Sequence, residues 1–236
     1  MTLRNRVLPT GEIVALPFRG LLMGNRGVLH DERHEIVRPW NLTAWLICRT
    51  EFNDRHRTIM APDRYTELFF LDEVNALAAG HRPCFECRRE RFNAFLATTG
   101  HGRTADLDRA LHTERLTGKR GQRRRERTKR LHDVAPSDLP VGAMVLVGRT
   151  TFALGDDGFI AWAAEPDPSA YLSELSGHAK RDADTLWASL KSDAPLRTPT
   201  PPTTLRALRN GYEPQWHPSA EHAERLPRLG SSRPKA

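Results

Sequence analysis

The chain has 236 residues, 39% of them hydrophobic, with three cysteines and a formal net charge of +7. That length and apolar content suit one large domain or two small ones, and they set aside collagen-like, coiled-coil and membrane classes, since no stretch approaches the roughly 18 apolar residues a membrane helix requires. The start, MTLRNRVLPTGEIV, lacks an apolar leader with a cleavage site, so a cytoplasmic protein with no membrane partner is expected, its cysteines kept as thiols or metal thiolates rather than disulfides.

Residues 1–98 read as one unit. EIVALPFRGLLM and TAWLICRTEF carry short apolar runs rich in β-branched and aromatic residues, separated by the turn-like GNRG and the charged HDERHE, and they predict strands. RTIMAPDRYTELFF predicts a turn and a further strand. LDEVNALAAG has an acid-rich start, Val74, Leu77 and Ala78 at helical spacing, and Gly80 where a helix would stop. RRERFNAFLATTG places Phe92, Phe95 and Leu96 on one helical face and again ends at glycine. GHRPCFECRRE therefore lies as a knuckle between two helices.

Residues 99–137 are polar and basic and read as a helical connector. TADLDRALHTERL predicts a helix with Thr104 as its cap. It runs into KRGQRRRERTKR, residues 119 to 130, where eight Lys or Arg stand beside one Glu. Such a block repels itself, and its natural partner is a polyanion, because each neutralised phosphate releases counterions; the bland reading is a solvated linker. From residue 138 onward DLPVGAMVLVGRTTFALGDDGFIAWA predicts two β-rich runs around GDDG, a hairpin pair. SAYLSELSGHAKRDADTLWASL predicts a helix, APLRTPTPPTTL a loop or extended linker, and the tail from His217 a fraying end. NGYEPQWHPSA groups Tyr212, Trp216 and His217 in what reads as a packed loop.

Cys84 and Cys87 form a Cys-x-x-Cys pair, whose short loop can aim two thiolates at one ion. Zinc takes four such donors, so one pair is half a site. A redox pair and two buried thiols are the competing readings, the first weakened by the absence of a strand-then-helix setting. The surrounding FFLDEVNALAAGHRPCFECRR resembles the N-terminal zinc domain of the Ada DNA methyl-phosphotriester repair proteins, which carry an aromatic pair, an Ala- and Glu-rich helix and then A-G-F-R-P-C-x-x-C-R. Upstream, LICRTEF resembles the segment around that family's first two ligands and puts Cys48 at the first. At the second, four residues on, stands Phe52.

The chain as a whole reads as an α+β protein: the resemblance implies an Ada-like zinc-binding module within 1–98, while composition and pattern add a basic helical connector at 99–137 and a small C-terminal α/β region with a flexible tail at 138–236. The resemblance also implies zinc as cofactor on Cys48, Cys84 and Cys87. With one thiolate missing, either a histidine completes the set or the site is lost; among the histidines His30 is favoured because Val28 and Leu29 before it could direct it inward, His56 in NDRHR is second and His34 third, while His81 reads as a neighbour of the knuckle. The family's first cysteine accepts a methyl group from DNA; here that would be Cys48. Replacing a thiolate by neutral histidine makes the cluster less anionic and its sulfurs poorer nucleophiles, so zinc-dependent DNA binding, at damaged or modified sites, is the expected function, with RNA as the alternative partner. Arg82, Arg88 and Arg89 beside the knuckle and Arg123, Arg124 and Arg125 in the basic block are the candidate phosphate contacts.

A rival reading is a nucleobase deaminase, which combines P-C-x-x-C with H-x-E. PCFEC at 83 to 87 and His112 and Glu114 in HTE supply the residue types, in reversed order. It requires His112 and Glu114 at the metal and Cys48 away from it. A third reading is a binding protein without chemistry. Phosphate-binding loops, dinucleotide fingerprints, H-E-x-x-H and G-x-S-x-G are all missing from the sequence.

Overall fold

The computed structural model describes residues 2–54, 58–117, 129–162 and 171–227. The apolar runs of the N-terminal part are short, and so are the strands they make: β1 (Arg6–Val7), β2 (Ile13–Val14), β3 (Leu22–Asn25), β4 (Leu46–Arg49), β5 (Leu68–Phe70) and β6 (Arg82–Pro83). They form one mixed sheet in the order β2-β1-β5-β3-β4-β6. The β3 strand pairs antiparallel with both β4 and β5, and β6 joins the edge parallel to β4. Because side chains alternate across a strand, the sheet has two apolar faces. Leu22, Ile47, Leu68 and Phe70 enter the main core, while Met23, Cys48 and Phe69 face a separate cluster on the other side. Glycine allows close approach at two points, to the backbone of Phe70 and to its ring. A Cβ on Gly20 would stand 2.3 Å from the Phe70 carbonyl oxygen, and one on Gly24 2.4 Å from the Phe70 ring.

Three helices follow: α1 (Glu73–Ala78), α2 (Arg89–Thr99) and α3 (Thr104–Arg115). Asp72 caps α1, its side chain accepting from the Asn75 N–H, and Gly80 takes φ +89° just beyond the end. Gly100 closes α2 in the left-handed region, as the sequence predicts. The expected cap of α3 is displaced by one residue. Arg103 occupies the cap position without a side-chain bond, and Thr104 is the first helical residue.

The C-terminal half contains β7 (His132–Val134), β8 (Met144–Val147), β9 (Thr150–Gly155), β10 (Gly158–Trp162), α4 (Gly177–Lys191), β11 (Leu196–Thr198), α5 (Pro202–Arg209) and β12 (Arg225–Leu226). The hairpin expected at GDDG is β9–β10, with Gly155 opposite Gly158. The run before it holds a further hairpin, since Val147 pairs with Thr150 around Gly148–Arg149, and β8 thereby joins the sheet β12-β10-β9-β8. The helix expected from residue 169 starts only at Gly177; Tyr171 instead bridges to Trp162. Two further expectations are corrected. APLRTPTPPTTL is not a linker: Leu196–Thr198 pairs with β7, and Pro202 starts α5, where a missing N–H and a fixed φ suit the first turn. Nor does the chain fray between His217 and Pro227, because a 3₁₀ turn at Pro218–His222 leads into β12, which pairs with β10; the remainder of the expected tail, residues 228–236, lies outside the described residues.

The fold is α+β. Its main core draws on Val7, Leu29 and Phe70, on Leu107 and Leu111, and on Phe152, Leu186 and Leu205, and thus runs through all three expected segments. Two fully buried acids reinforce this connection. Asp72 accepts from the His217 N–H (3.0 Å) and the Tyr171 hydroxyl (2.9 Å); Glu73 accepts from the Tyr212 hydroxyl (2.7 Å) and the Gln215 N–H (3.0 Å). NGYEPQWHPSA is thus a packed loop, pinned to α1 by hydrogen bonds. Among the described residues no helix is long and apolar enough to cross a membrane.

Candidate metal centre

Strand alternation and sheet register bring the three cysteines together. Ile47 points into the main core, so Cys48, its neighbour on β4, points to the other face. The parallel pairing of β6 sets Pro83 beside Ile47, and the Cys84 N–H donates to the Ile47 carbonyl at 2.9 Å. The chain then turns back through residues 85–88 and enters α2, with the Arg88 N–H donating to the Cys84 carbonyl. This turn returns Cys87 to the same spot, where its sulfur accepts from the Arg49 N–H at 3.4 Å. The Sγ atoms of Cys48, Cys84 and Cys87 all lie within 4.8 Å of one another, and all three residues are buried.

The donor set fits a soft, tetrahedral ion. Sulfurs bound at roughly 2.3 Å to tetrahedral zinc stand roughly 3.8 Å apart, and those of this cluster lie within 4.8 Å of one another. The electrostatics favour an anionic sulfur at Cys84 and oppose ionisation of the other two. Hydrogen bonds from the Cys48 and Cys87 thiols, then the N–H groups of Cys87 and Glu86, hold the Cys84 thiol well below its ordinary range. The same sulfur–sulfur contacts, followed by burial, push Cys48 up. For Cys87 the bond with Cys48 pulls downward, but the bond with Cys84 and burial outweigh it and leave that thiol raised. The cluster lies beside the start of α2, where the helix dipole favours negative charge on sulfur. A cation would allow all three to ionise.

The structure separates the predicted ligands. His30 is not part of the cluster: its Nδ1 is 2.6 Å from Thr66 Oγ1 and its Nε2 3.2 Å from the Ala61 carbonyl, so it is a satisfied, buried histidine. His34 is exposed on a left-handed turn at φ +61°, and His56 lies outside the described residues. Phe52, at the position of the resembled family's second cysteine, packs against the sulfur cluster. Among the described residues no fourth His, Cys, Asp or Glu joins the set.

The flanking arginines divide as well. Arg82 is 4% exposed and makes a two-pronged ion pair with Asp108 (2.7 and 2.8 Å), and Arg88 is equally buried against Glu73 (2.9 Å) and Gln215 (2.5 Å). Neither can reach a phosphate. Arg89 is exposed, its guanidinium 4.4 Å above the ring of Phe85, which is itself 49% exposed at the knuckle tip. Arg123, Arg124 and Arg125 lie outside the described residues. The deaminase arrangement is not formed. His112 packs on Trp40 with ring centroids 4.6 Å apart, and Glu114 caps α5 through the Thr203 N–H and hydroxyl, while Cys48 is at the cluster.

Sequence reasoning overlooked Glu73, which holds Arg88 and so fixes the residue next to Cys87. It looked like an ordinary first-turn acid, and only the apolar residues on both sides of the LDEV segment hinted at burial. It also passed over Phe85, whose exposure depends on the knuckle's direction. No family model, curated protein or solved structure matches the chain.

Proposed function

We propose that this chain is a zinc protein that binds nucleic acid, DNA in the first instance, through the surface around its cysteine knuckle. The observation that carries the reading is the convergence of Cys48, Cys84 and Cys87 from two parts of the sheet, a three-sulfur donor set suited to zinc. The exposed Phe85 with Arg89 across its ring offers a stacking face beside a cation, a combination that suits an unpaired or distorted nucleotide. The net charge of +7 and the basic run 119–130 supply the long-range attraction. Zinc, when bound, would lock the knuckle to β4, and Arg49, Phe85 and Arg89 would then present a fixed surface.

Two measurements test this. Purified protein is expected to contain about one zinc per chain, lost in Cys48→Ser and Cys84→Ser; His56→Ala tests the remaining histidine outside the described residues. Fluorescence anisotropy with a short oligonucleotide should show binding that weakens steeply with salt, and Phe85→Ala should weaken it by about tenfold, the range for loss of one stacked base. A zinc-loaded protein whose oligonucleotide affinity is unchanged by Phe85→Ala, Arg89→Ala and alanine at Arg123, Arg124 and Arg125 would remove the nucleic-acid reading and leave a structural zinc site.

A further inference from the structure

On the side of the sheet edge formed by β1 and β2 lies an open cavity of about 1000 Å³, which none of the cysteines lines. Its walls are mostly apolar, from Ile13, Val14, Val37, Leu131 and Leu146, but Arg26 and Lys129 also face it. Arg26 is 1% exposed. Its Nε donates to His81 Nε2 (3.0 Å), its Nη1 to the carbonyls of Gly11 (3.0 Å) and Pro39 (3.4 Å), and its guanidinium lies 3.9 Å from the Trp45 ring centroid. None of these partners is anionic, and among the described residues Nη2 has no hydrogen-bond partner at all.

Lys129 has the same predicament. Its ammonium donates to the Ala78 carbonyl at 2.8 Å, and the acid that acts on it electrostatically, Glu114, is engaged with Thr203. Arg115, fully buried, adds a third cation nearby and repels both Lys129 and His81. Burial alone draws Arg26 down to about 9, and burial followed by Arg115 and Arg26 pulls Lys129 well below its ordinary value. His81 is held neutral by burial and these same cations, which leaves its Nε2 free to accept from Arg26. Among the described residues no acid forms an ion pair with Arg26 or Lys129; keeping such cations out of water is strongly unfavourable, and proteins commonly relieve it with an anion.

The two arms pass the same stretch of backbone: a Cβ built on Gly11, at φ +84°, would lie in ordinary contact with Lys129 Cδ (3.7 Å) and Arg26 Nη2 (4.0 Å). Arg4 and Arg38 stand exposed at the mouth, and Glu12 is the acid among the lining residues. We propose that this cavity is a binding site for a small organic phosphate: the phosphate sits between Arg26 Nη2 and Lys129 beside Gly11, and an apolar body of up to mononucleotide size lies against the aliphatic wall. The guanidinium fork and the ammonium match a dianionic phosphate better than a single carboxylate, and the volume is at the upper end of ordinary ligand pockets. This site stands independently of the zinc and nucleic-acid reading.

Isothermal titration of the full chain at low salt with phenyl phosphate, inorganic phosphate and phenol tests it. Phenyl phosphate should bind about tenfold or more tightly than inorganic phosphate, phenol should give no measurable heat, and Lys129→Met should weaken phenyl phosphate by about tenfold or more. Arg26→Met should abolish phenyl phosphate binding, with a fall in melting temperature for the lost bonds to His81 and to the Gly11 and Pro39 carbonyls. Should the buried variants fail to fold, the exposed Arg38→Ala decides, with an expected loss of roughly threefold to tenfold in affinity. Absence of phenyl phosphate binding to the wild type, or binding unchanged in every folded variant, would overturn the proposal.

Discussion

Glu73→Gln isolates the group that fixes the knuckle to the rest of the fold. Its carboxylate is fully buried, with Oε1 accepting from Arg88 Nη1 (2.9 Å) and the Tyr212 hydroxyl (2.7 Å), and Oε2 from Arg91 Nη2 (2.7 Å) and the Gln215 N–H (3.0 Å). Glutamine keeps the shape but offers one accepting oxygen, so in either orientation its NH₂ faces two donors. The charge that balances Arg88, whose side chain is 3% exposed, is also lost. Breaking a buried pair from one side costs about 3–5 kcal/mol. Here Arg91 relieves part of this, because its side chain is 31% exposed and can turn to water, and Gln215 Oε1 still accepts from Arg88. A loss of about 3 kcal/mol follows, or roughly 6–12 °C in melting temperature for a domain of this size. Urea unfolding of zinc-loaded wild type, Glu73→Gln and the exposed control Glu90→Gln measures it. Because Arg88 follows Cys87 directly, zinc affinity should fall in Glu73→Gln and not in the control. A loss under about 1 kcal/mol with unchanged zinc affinity would refute the view that this carboxylate holds the knuckle.

Other outcomes follow from the same geometry. His30→Ala should lose about 1 kcal/mol with its Thr66 bond yet keep its zinc, as should His112→Ala, both read by metal analysis and thermal melts. Gly20→Ala should destabilise by at least about 1–3 kcal/mol, because its methyl would meet the Phe70 backbone at 2.3 Å and backbone cannot rotate away. Burial, ahead of the bonds from Asn75, His217 and Tyr171 that oppose it, lifts the Asp72 carboxyl from 3.8 to about 6. Its folded-state value lies above the unfolded one, so the stability it contributes is complete below pH 3.8 and is lost as pH rises through about 6. About 3 kcal/mol is at stake at 1.36 kcal/mol per unit, and the stability difference between wild type and Asp72→Asn should change by that amount across this window; a flat difference would contradict it.

Elements defined by local chemistry were legible in the sequence. The helices ending at Gly80 and Gly100 and the hairpin at GDDG stand where glycine and spacing put them. The misses came where distant chain decided the outcome. Leu196 and Thr198 look like a proline-rich linker until β7, some sixty residues earlier in the chain, pairs with them. The segment after His217 holds because β10 offers it an edge and Asp72 a buried acceptor, neither of which a window of twenty residues contains.

The candidate site shows the same division at the scale of single side chains. Arg88 and Arg89 are adjacent and identical as letters, yet one is buried against Glu73 and the other lies exposed over Phe85, because the turn into α2 points successive residues to opposite sides. Cys84 and Cys87 could be paired by spacing alone, but Cys48 belongs to them only through register. Were β4 to slip by one residue against β3 and β6, Ile47 would face the two sulfurs and Cys48 would enter the main core, which would leave a two-sulfur site and a buried thiol. The apolar contacts of Ile47 in that core are therefore what bring the third sulfur to the candidate site. Ile47→Ser, which weakens the preference for the correct register without touching a sulfur, would act on the metal site through the sheet.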